Sequence, residues 1–198
     1  MSNDGVNTGR RRFLIATTAV GGGIGAVGVA VPFVKSWNPS EKAKAAGAPA
    51  KADVGKIEPG AMIVVEWRGK PVYLYRRTDE SVGLLETISD ELKDPDNADE
   101  GQQPAYAKNV QRSRKPEIAV IEGVCTHLGC APKYIPEVVP QPFQDNWVGG
   151  FFCPCHGSRF DLAGRVYKGS PAGKNLKVPP YSYVDENTIL IGVDEENS

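Results

Sequence analysis

An all-β head domain carried on one N-terminal membrane-spanning helix is the architecture the sequence predicts. Three observations point there. Phe13 to Val34 is uncharged, Asn38 to Ala52 holds no large apolar residue, and from Asp53 onward short β-prone runs alternate with turn residues. At 198 residues the chain is long enough for one domain with a proper core plus an appendage. A net charge of −1 gives no support to nucleic acid as a partner, since such proteins usually carry a basic excess.

The N-terminal run reads FLIATTAVGGGIGAVGVAVPFV. As a helix it covers roughly 33 Å, enough for a hydrocarbon core of about 30 Å. Its Gly, Ala and Val residues suit close packing against neighbouring membrane helices. A cleaved signal peptide is the rival reading, but the apolar stretch exceeds the usual h-region and Ala-x-Ala occurs only beyond it. A buried soluble helix is the other, and Gly21-Gly22-Gly23 makes it a poor one. Arg10, Arg11 and Arg12 precede the run, which places the N-terminus in the cytoplasm and the rest outside. Arg-Arg-x-Phe-Leu, ending at Leu14, also resembles a twin-arginine export signal, which suits a domain that folds around its cofactor before crossing.

These readings divide the chain into a cytoplasmic N-terminus (1–12), an anchor (13–34), a linker or hinge (35–52) and a head (53–198). Trp37 suits the membrane interface, and NPSEKAKAAGAPAKA has the composition of a linker. In the head, Met62–Trp67 and Pro71–Tyr75 form a predicted hairpin turning at Arg68-Gly69-Lys70. Further strands are predicted over 118–121, 150–152, 182–184 and 189–193. Leu84, Leu85, Ile88 and Leu92 have helical spacing, and the acidic stretch from Asp94 to Gln103 reads as a solvated loop.

All four cysteines and both histidines fall in two short boxes, CTHLGC (Cys125–Cys130) and CPCH (Cys153–His156). Each box offers Cys and His as a pair, Cys125 with His127 and Cys153 with His156, and leaves one cysteine over. Two Cys and two His make a familiar zinc set, yet zinc sites normally use Cys-x-x-Cys or His-x-x-x-His clamps and give the spare cysteines no purpose. Two disulfides would leave both histidines idle.

Cys-x-His-x-x-Cys followed by Cys-x-Cys-His-Gly-Ser resembles the motif of Rieske iron–sulfur proteins. The resemblance extends to Trp67-Arg68-Gly69-Lys70-Pro71-Val72, to Phe160-Asp161-x-x-Gly164-Arg165, and to Asn175-Leu176 with Val178-Pro179-Pro180-Tyr181, as in the Rieske subunit of bacterial cytochrome bc complexes. It implies a β-sandwich base with an inserted cluster-binding subdomain, here about 123–171. It also implies one 2Fe–2S cluster, with Cys125 and Cys153 on one iron, His127 and His156 on the other, and a disulfide between Cys130 and Cys155. A disulfide suits an exported head. Ser158 is expected to bond a bridging sulfide, Gly169-Ser170-Pro171 to cover the cluster, and His156, with His127 beside it, to meet a quinol. Replacing two thiolates by neutral imidazoles removes two negative charges. The potential therefore rises, to roughly −150 to +300 mV against about −400 mV for all-cysteine plant-type clusters.

The family implies a quinol–cytochrome c reductase in which one electron passes from quinol through the cluster to a membrane-bound c-type cytochrome, with proton release. Cytochrome b, the c-type cytochrome, quinol and membrane lipid are the implied partners, in a dimeric complex. The implied location is the bacterial inner membrane, single-pass, with the head periplasmic. A swinging head would give the linker its use. A small Rieske subunit of another exported oxidase, such as the arsenite type, is expected to lack the segment Trp67–Arg114; a soluble Rieske ferredoxin lacks anchor and spare cysteines. A purely structural module would show no reduced-cluster signal.

One residue departs from the family pattern. Phe160 stands where many members have a tyrosine whose hydroxyl bonds a ligand sulfur. One such hydrogen bond favours the reduced cluster by about 1 kcal/mol, or about 40 mV for one electron. Phe160→Tyr is therefore expected to raise the midpoint in a voltammetric titration; an unchanged or lower value contradicts this.

Overall fold

The computed structural model describes residue 5 and residues 7–194; of the predicted cytoplasmic segment, residues 1–4 and 6 lie outside the described residues, as do 195–198 of the head. The chain divides into two compact units, Met1–Ala45 and Ala46–Ser198.

In the first unit, helix α1 spans Thr8–Ser36, beginning earlier than the apolar run alone predicts. The cause is a cap: the Asn7 side chain accepts from the Arg10 amide at 3.1 Å, so the helix takes in the three arginines. None of its described side chains is buried, and its length and apolarity are sufficient to cross a membrane. The polar stretch that follows is more ordered than its composition predicts. Ser40 caps a short helix α2 (Glu41–Ala46), receiving the Ala43 amide at 3.1 Å, and Glu41 pairs with Lys44.

The second unit holds nine strands among the described residues. These are β1 (Ala50–Asp53), β2 (Met62–Trp67), β3 (Lys70–Arg76), β4 (Ile118–Glu122) and β5 (Lys133–Ile135). There follow β6 (Gly150–Cys153), β7 (Ser158–Asp161), β8 (Tyr181–Tyr183) and β9 (Thr188–Ile191). They form three antiparallel sheets, ordered β1-β9-β8, β2-β3-β4 and β5-β6-β7. The predicted all-β class is what the structure shows.

Strands β3 and β4 of the central sheet are buried on both faces, which explains their unbroken apolar reading, whereas Ile63 and Val64 of the edge strand β2 are exposed. Val72, Leu74, Ile118 and Val120 pack with Ala52, Tyr181, Ile189 and Ile191 of the β1-β9-β8 sheet. From the other face, Tyr73, Tyr75, Ala119 and Ile121 pack with Phe151, Phe160, Cys125 and Cys153. The two outer sheets thus share one wall, and the second core touches the cysteine boxes. The β2–β3 hairpin turns at Arg68-Gly69 with φ of 52° and 71°, the paired positive values of the tight turn that matches strand twist.

Three elements differ from the sequence expectations. The head begins at Ala50, not Asp53, because Ala52 pairs with Ile189 and is buried, an alternation that small residues hide. Leu84 to Leu92 is not one helix: α3 spans Asp79–Leu84 and a 3-10 turn follows at Ser89–Glu91. Leu85 joins the core of the cysteine boxes, whereas Ile88 and Leu92 pack with Trp147 and Tyr167. No single helical stripe serves both. The acidic loop is not simply solvated either, since Asn97 and Gln103 within it are buried and hydrogen-bonded.

Candidate metal centre

The two boxes are mirror-like turns. Cys125 follows β4 and Cys153 ends β6, and in each box the glycine four residues on donates its amide back to the cysteine carbonyl. Gly129 does so at 3.0 Å and Gly157 at 2.9 Å. Both glycines have positive φ, 85° and 75°, with open space where a side chain would stand, so backbone conformation rather than room requires them. The sequence reading missed this pair; the signal was the equal Cys-to-Gly spacing. The first box is fixed further by the Cys125 amide, which donates to the Cys130 carbonyl at 2.8 Å.

All the residues predicted for the site come together. Cys130 and Cys155 form a disulfide, while Cys125 and Cys153 remain free thiols, 3% and 2% exposed. The Sγ atoms of Cys130, Cys153 and Cys155 lie within 4.8 Å of one another, but two of the three are consumed by the disulfide and are not thiolate donors. The rings of His127 and His156 stand at 4.8 Å between centroids and 87° between planes. His127 is half-buried, and His156 is exposed.

Two observations test whether this set fits a metal cluster. His127 Nδ1 is buried with no hydrogen-bond partner among the described residues. Leaving such a nitrogen dry costs about 1–3 kcal/mol, a cost that a metal bond removes. The thiols give the second. Burial pushes the Cys125 thiol up, the His127 amide pulls it down, the adjacent Cys153 thiol raises it again, and the Ser158 hydroxyl lowers it. Two buried thiols side by side beside an orphaned imidazole nitrogen are the donor set of a centre with mixed sulfur and nitrogen ligands. The residues fit.

Surrounding groups hold this set in place. Ser158, fully buried at the start of β7, accepts the Ala172 amide at 3.0 Å, so its own proton is free to reach sulfur. Phe160 is fully buried opposite Phe151 and shares a core with Cys125 and Cys153. The loop after β7 is tied to the first box and to β7: Thr126 donates to the Lys174 carbonyl at 2.6 Å, and the Arg159 amide to Ser170 at 3.1 Å. Asp161 is the anchor of the turn below. Its carboxylate accepts the Ala163 and Arg165 amides at 2.9 and 2.7 Å and pairs with the Arg165 guanidinium, both side chains at 0% exposure.

A β-sandwich bearing a tip with two thiols, two imidazoles and a disulfide defines a Rieske-class iron–sulfur protein, whose cofactor is one 2Fe–2S cluster. Comparison agrees: residues 49–180 match the Rieske [2Fe-2S] domain, and residues 1–40 match the ubiquinol–cytochrome c reductase Fe–S subunit TAT signal. The chain belongs to the family of ubiquinol–cytochrome c reductase iron–sulfur subunits. It is 53% identical over 194 residues to that subunit of Allochromatium vinosum, covering 98% of this chain and 93% of the other. With the Blastochloris viridis subunit it shares 41% over 192 residues, covering 96% and 97%. With a mitochondrial Rieske subunit of Nicotiana tabacum the figures are 44% over 161 residues, 81% and 52%. Similarity of that extent includes the segment Trp67–Arg114 and sets aside the small-oxidase alternative.

Proposed function

We propose that Cys125 and Cys153 hold one iron and His127 and His156 the other, and that the exposed imidazole of His156 is where quinol meets this subunit. The orphaned, buried Nδ1 of His127 beside two free buried thiols carries the reading. When bound, the cluster supplies a one-electron acceptor of high potential for its kind.

The chain's own residues do the rest. Backbone turns closed by Gly129 and Gly157 hold Cys125 just beyond β4 and Cys153 at the end of β6. The disulfide ties one box to the other. Burial of the thiols excludes water from the sulfur side, whereas the exposed ring of His156 is open to a hydroxyl. Its outer nitrogen accepts the hydrogen bond of the quinol and then holds the proton, which leaves to solvent on that side. Leu128, 71% exposed beside His127, gives the tip an apolar edge for docking on a membrane partner.

The partners are cytochrome b and a membrane-bound c-type cytochrome in a dimeric complex. Basic residues Arg10 to Arg12 ahead of the apolar span favour a cytoplasmic N-terminus and a periplasmic head on the bacterial inner membrane, with the span in contact with lipid. Residues between α1 and β1 supply the reach for the head to move between its partners. Extra prolines across 38–49 are expected to lower turnover, on the order of tenfold, without changing the cluster spectrum. Unchanged turnover makes the segment a mere spacer. For the quinol contact, the decisive record is the reduced-cluster paramagnetic spectrum of membranes with a quinol-site inhibitor added. A change in line shape is expected; a spectrum indifferent to every such inhibitor removes His156 from that role.

A further inference from the structure

Outside both boxes, one cation grips the loop that covers the site. Lys93 Nζ donates to the Ser170 carbonyl at 2.6 Å and the Ala172 carbonyl at 2.8 Å, on either side of Pro171. Its own backbone is firmly mounted. The Lys93 amide bonds the Val166 carbonyl at 2.9 Å, Leu92 bridges Tyr167, and the Lys168 amide bonds Glu91 at 2.8 Å. Leu92 beneath it is buried, so the segment 91–93 cannot drift from the loop without opening a core.

From that grip a chain of contacts leads to the hydroxyl beside the boxes. The Ala172 amide donates to Ser158 Oγ at 3.0 Å, which occupies an acceptor position on the hydroxyl and turns its proton away. Ser158 is fully buried and pairs directly with Cys153 across β6 and β7, so that proton is left for sulfur at the site. The grip, the loop and the hydroxyl are successive hydrogen-bonded links.

We propose that Lys93 is a positioning residue for the iron–sulfur centre: by clamping the carbonyls around Pro171 it fixes the Ala172 amide, and through it the orientation of the Ser158 hydroxyl toward the sulfur of the cluster. This rests on the assignment of Cys125 and Cys153 as cluster ligands. A hydrogen bond to sulfur stabilises the added electron, so a hydroxyl loosened when Lys93 is made neutral lowers the potential.

The test uses the full chain in detergent, carrying its cluster. Lys93→Met is expected to shift the midpoint to a more negative potential and to shorten cluster retention, on the order of tenfold, as loss of outer-shell support does at metal sites. Lys93→Arg, which keeps charge and two donors, is expected to restore both. Amide hydrogen exchange over residues 168–175 is expected to quicken in Lys93→Met, and this readout survives even where the variant loads poorly. An unmoved midpoint, or exchange over 168–175 identical to the parent, overturns the clamp. A parent chain without a reduced-cluster signal would defeat the ligand assignment instead, so the two failures are distinguishable.

Discussion

Cys153→Ser is expected to yield a folded chain that holds no cluster, with iron and the reduced-cluster signal both absent. Cys153 sits at the end of β6, 2% exposed and outside the disulfide, so its sulfur has no covalent partner within the protein. Serine offers a harder and much less acidic donor in the same place, a poor substitute for a thiolate on iron. Cys155→Ser is the matched contrast. It removes the 25-residue covalent closure between the boxes, worth about 2–4 kcal/mol, but leaves all four proposed ligands in place. It is expected to lower stability and shorten cluster lifetime while still assembling iron. Equal iron content in Cys153→Ser and the parent would mean that this thiol is not a ligand.

Asp161→Asn is expected to cost about 3–5 kcal/mol of stability, the usual result of removing one partner of a fully buried ion pair. The Arg165 guanidinium would then sit at 0% exposure with no anion. Other cations crowd the same turn. Arg77 donates to the Leu162 carbonyl at 2.8 Å and Arg112 to the Ala163 carbonyl at 3.0 Å. Burial pulls the Arg112 guanidinium down to about 10, and the Asp161 charge opposes this. Arg165 pairs with Asp161 and Arg112 feels its charge, so losing it is felt by both. For a domain of this size the melting temperature should fall by roughly 6–20 °C. Asp161→Leu with Arg165→Met, which leaves no unpaired charge at this pair, is expected to recover much of the loss. A single variant that melts with the parent would show that carbonyls alone hold Arg165.

What the sequence revealed, and what it concealed, follows physical lines. The anchor and the metal boxes were readable because their signals are local: an uncharged run, and rare residue types at fixed spacing. Central strands such as Ile118–Glu122 were readable because burial on both faces leaves an unbroken apolar record. The strand β7 was not, since Ser158, Arg159 and Asp161 are polar and their burial depends on Ala172, Phe143 and Arg165, partners that pattern cannot show. Leu84 to Leu92 misled because helical spacing arose from two separate cores, one holding Leu85 and the other Ile88 and Leu92. Phe160-Asp161-x-x-Gly164-Arg165 entered as a family pattern; its reason, a buried ion pair closing a tight turn with Gly164 at φ 72°, needed coordinates. The role of Lys93 lay equally out of view, because the carbonyls it holds are 77 and 79 residues away.

The central claim is that two imidazoles occupy one metal atom, and the chain has only two histidines, His127 and His156. Nitrogen couplings in the pulsed paramagnetic spectrum of the reduced chain, with and without ¹⁵N-labelled histidine, therefore read the claim without ambiguity. Two directly bound histidine nitrogens, both changing isotope on labelling and one vanishing in His127→Ser or His156→Ser wherever those variants retain a cluster, is the predicted result. A reduced iron–sulfur signal with no coupling from histidine nitrogen, or a colourless chain holding zinc at the same site, would contradict it.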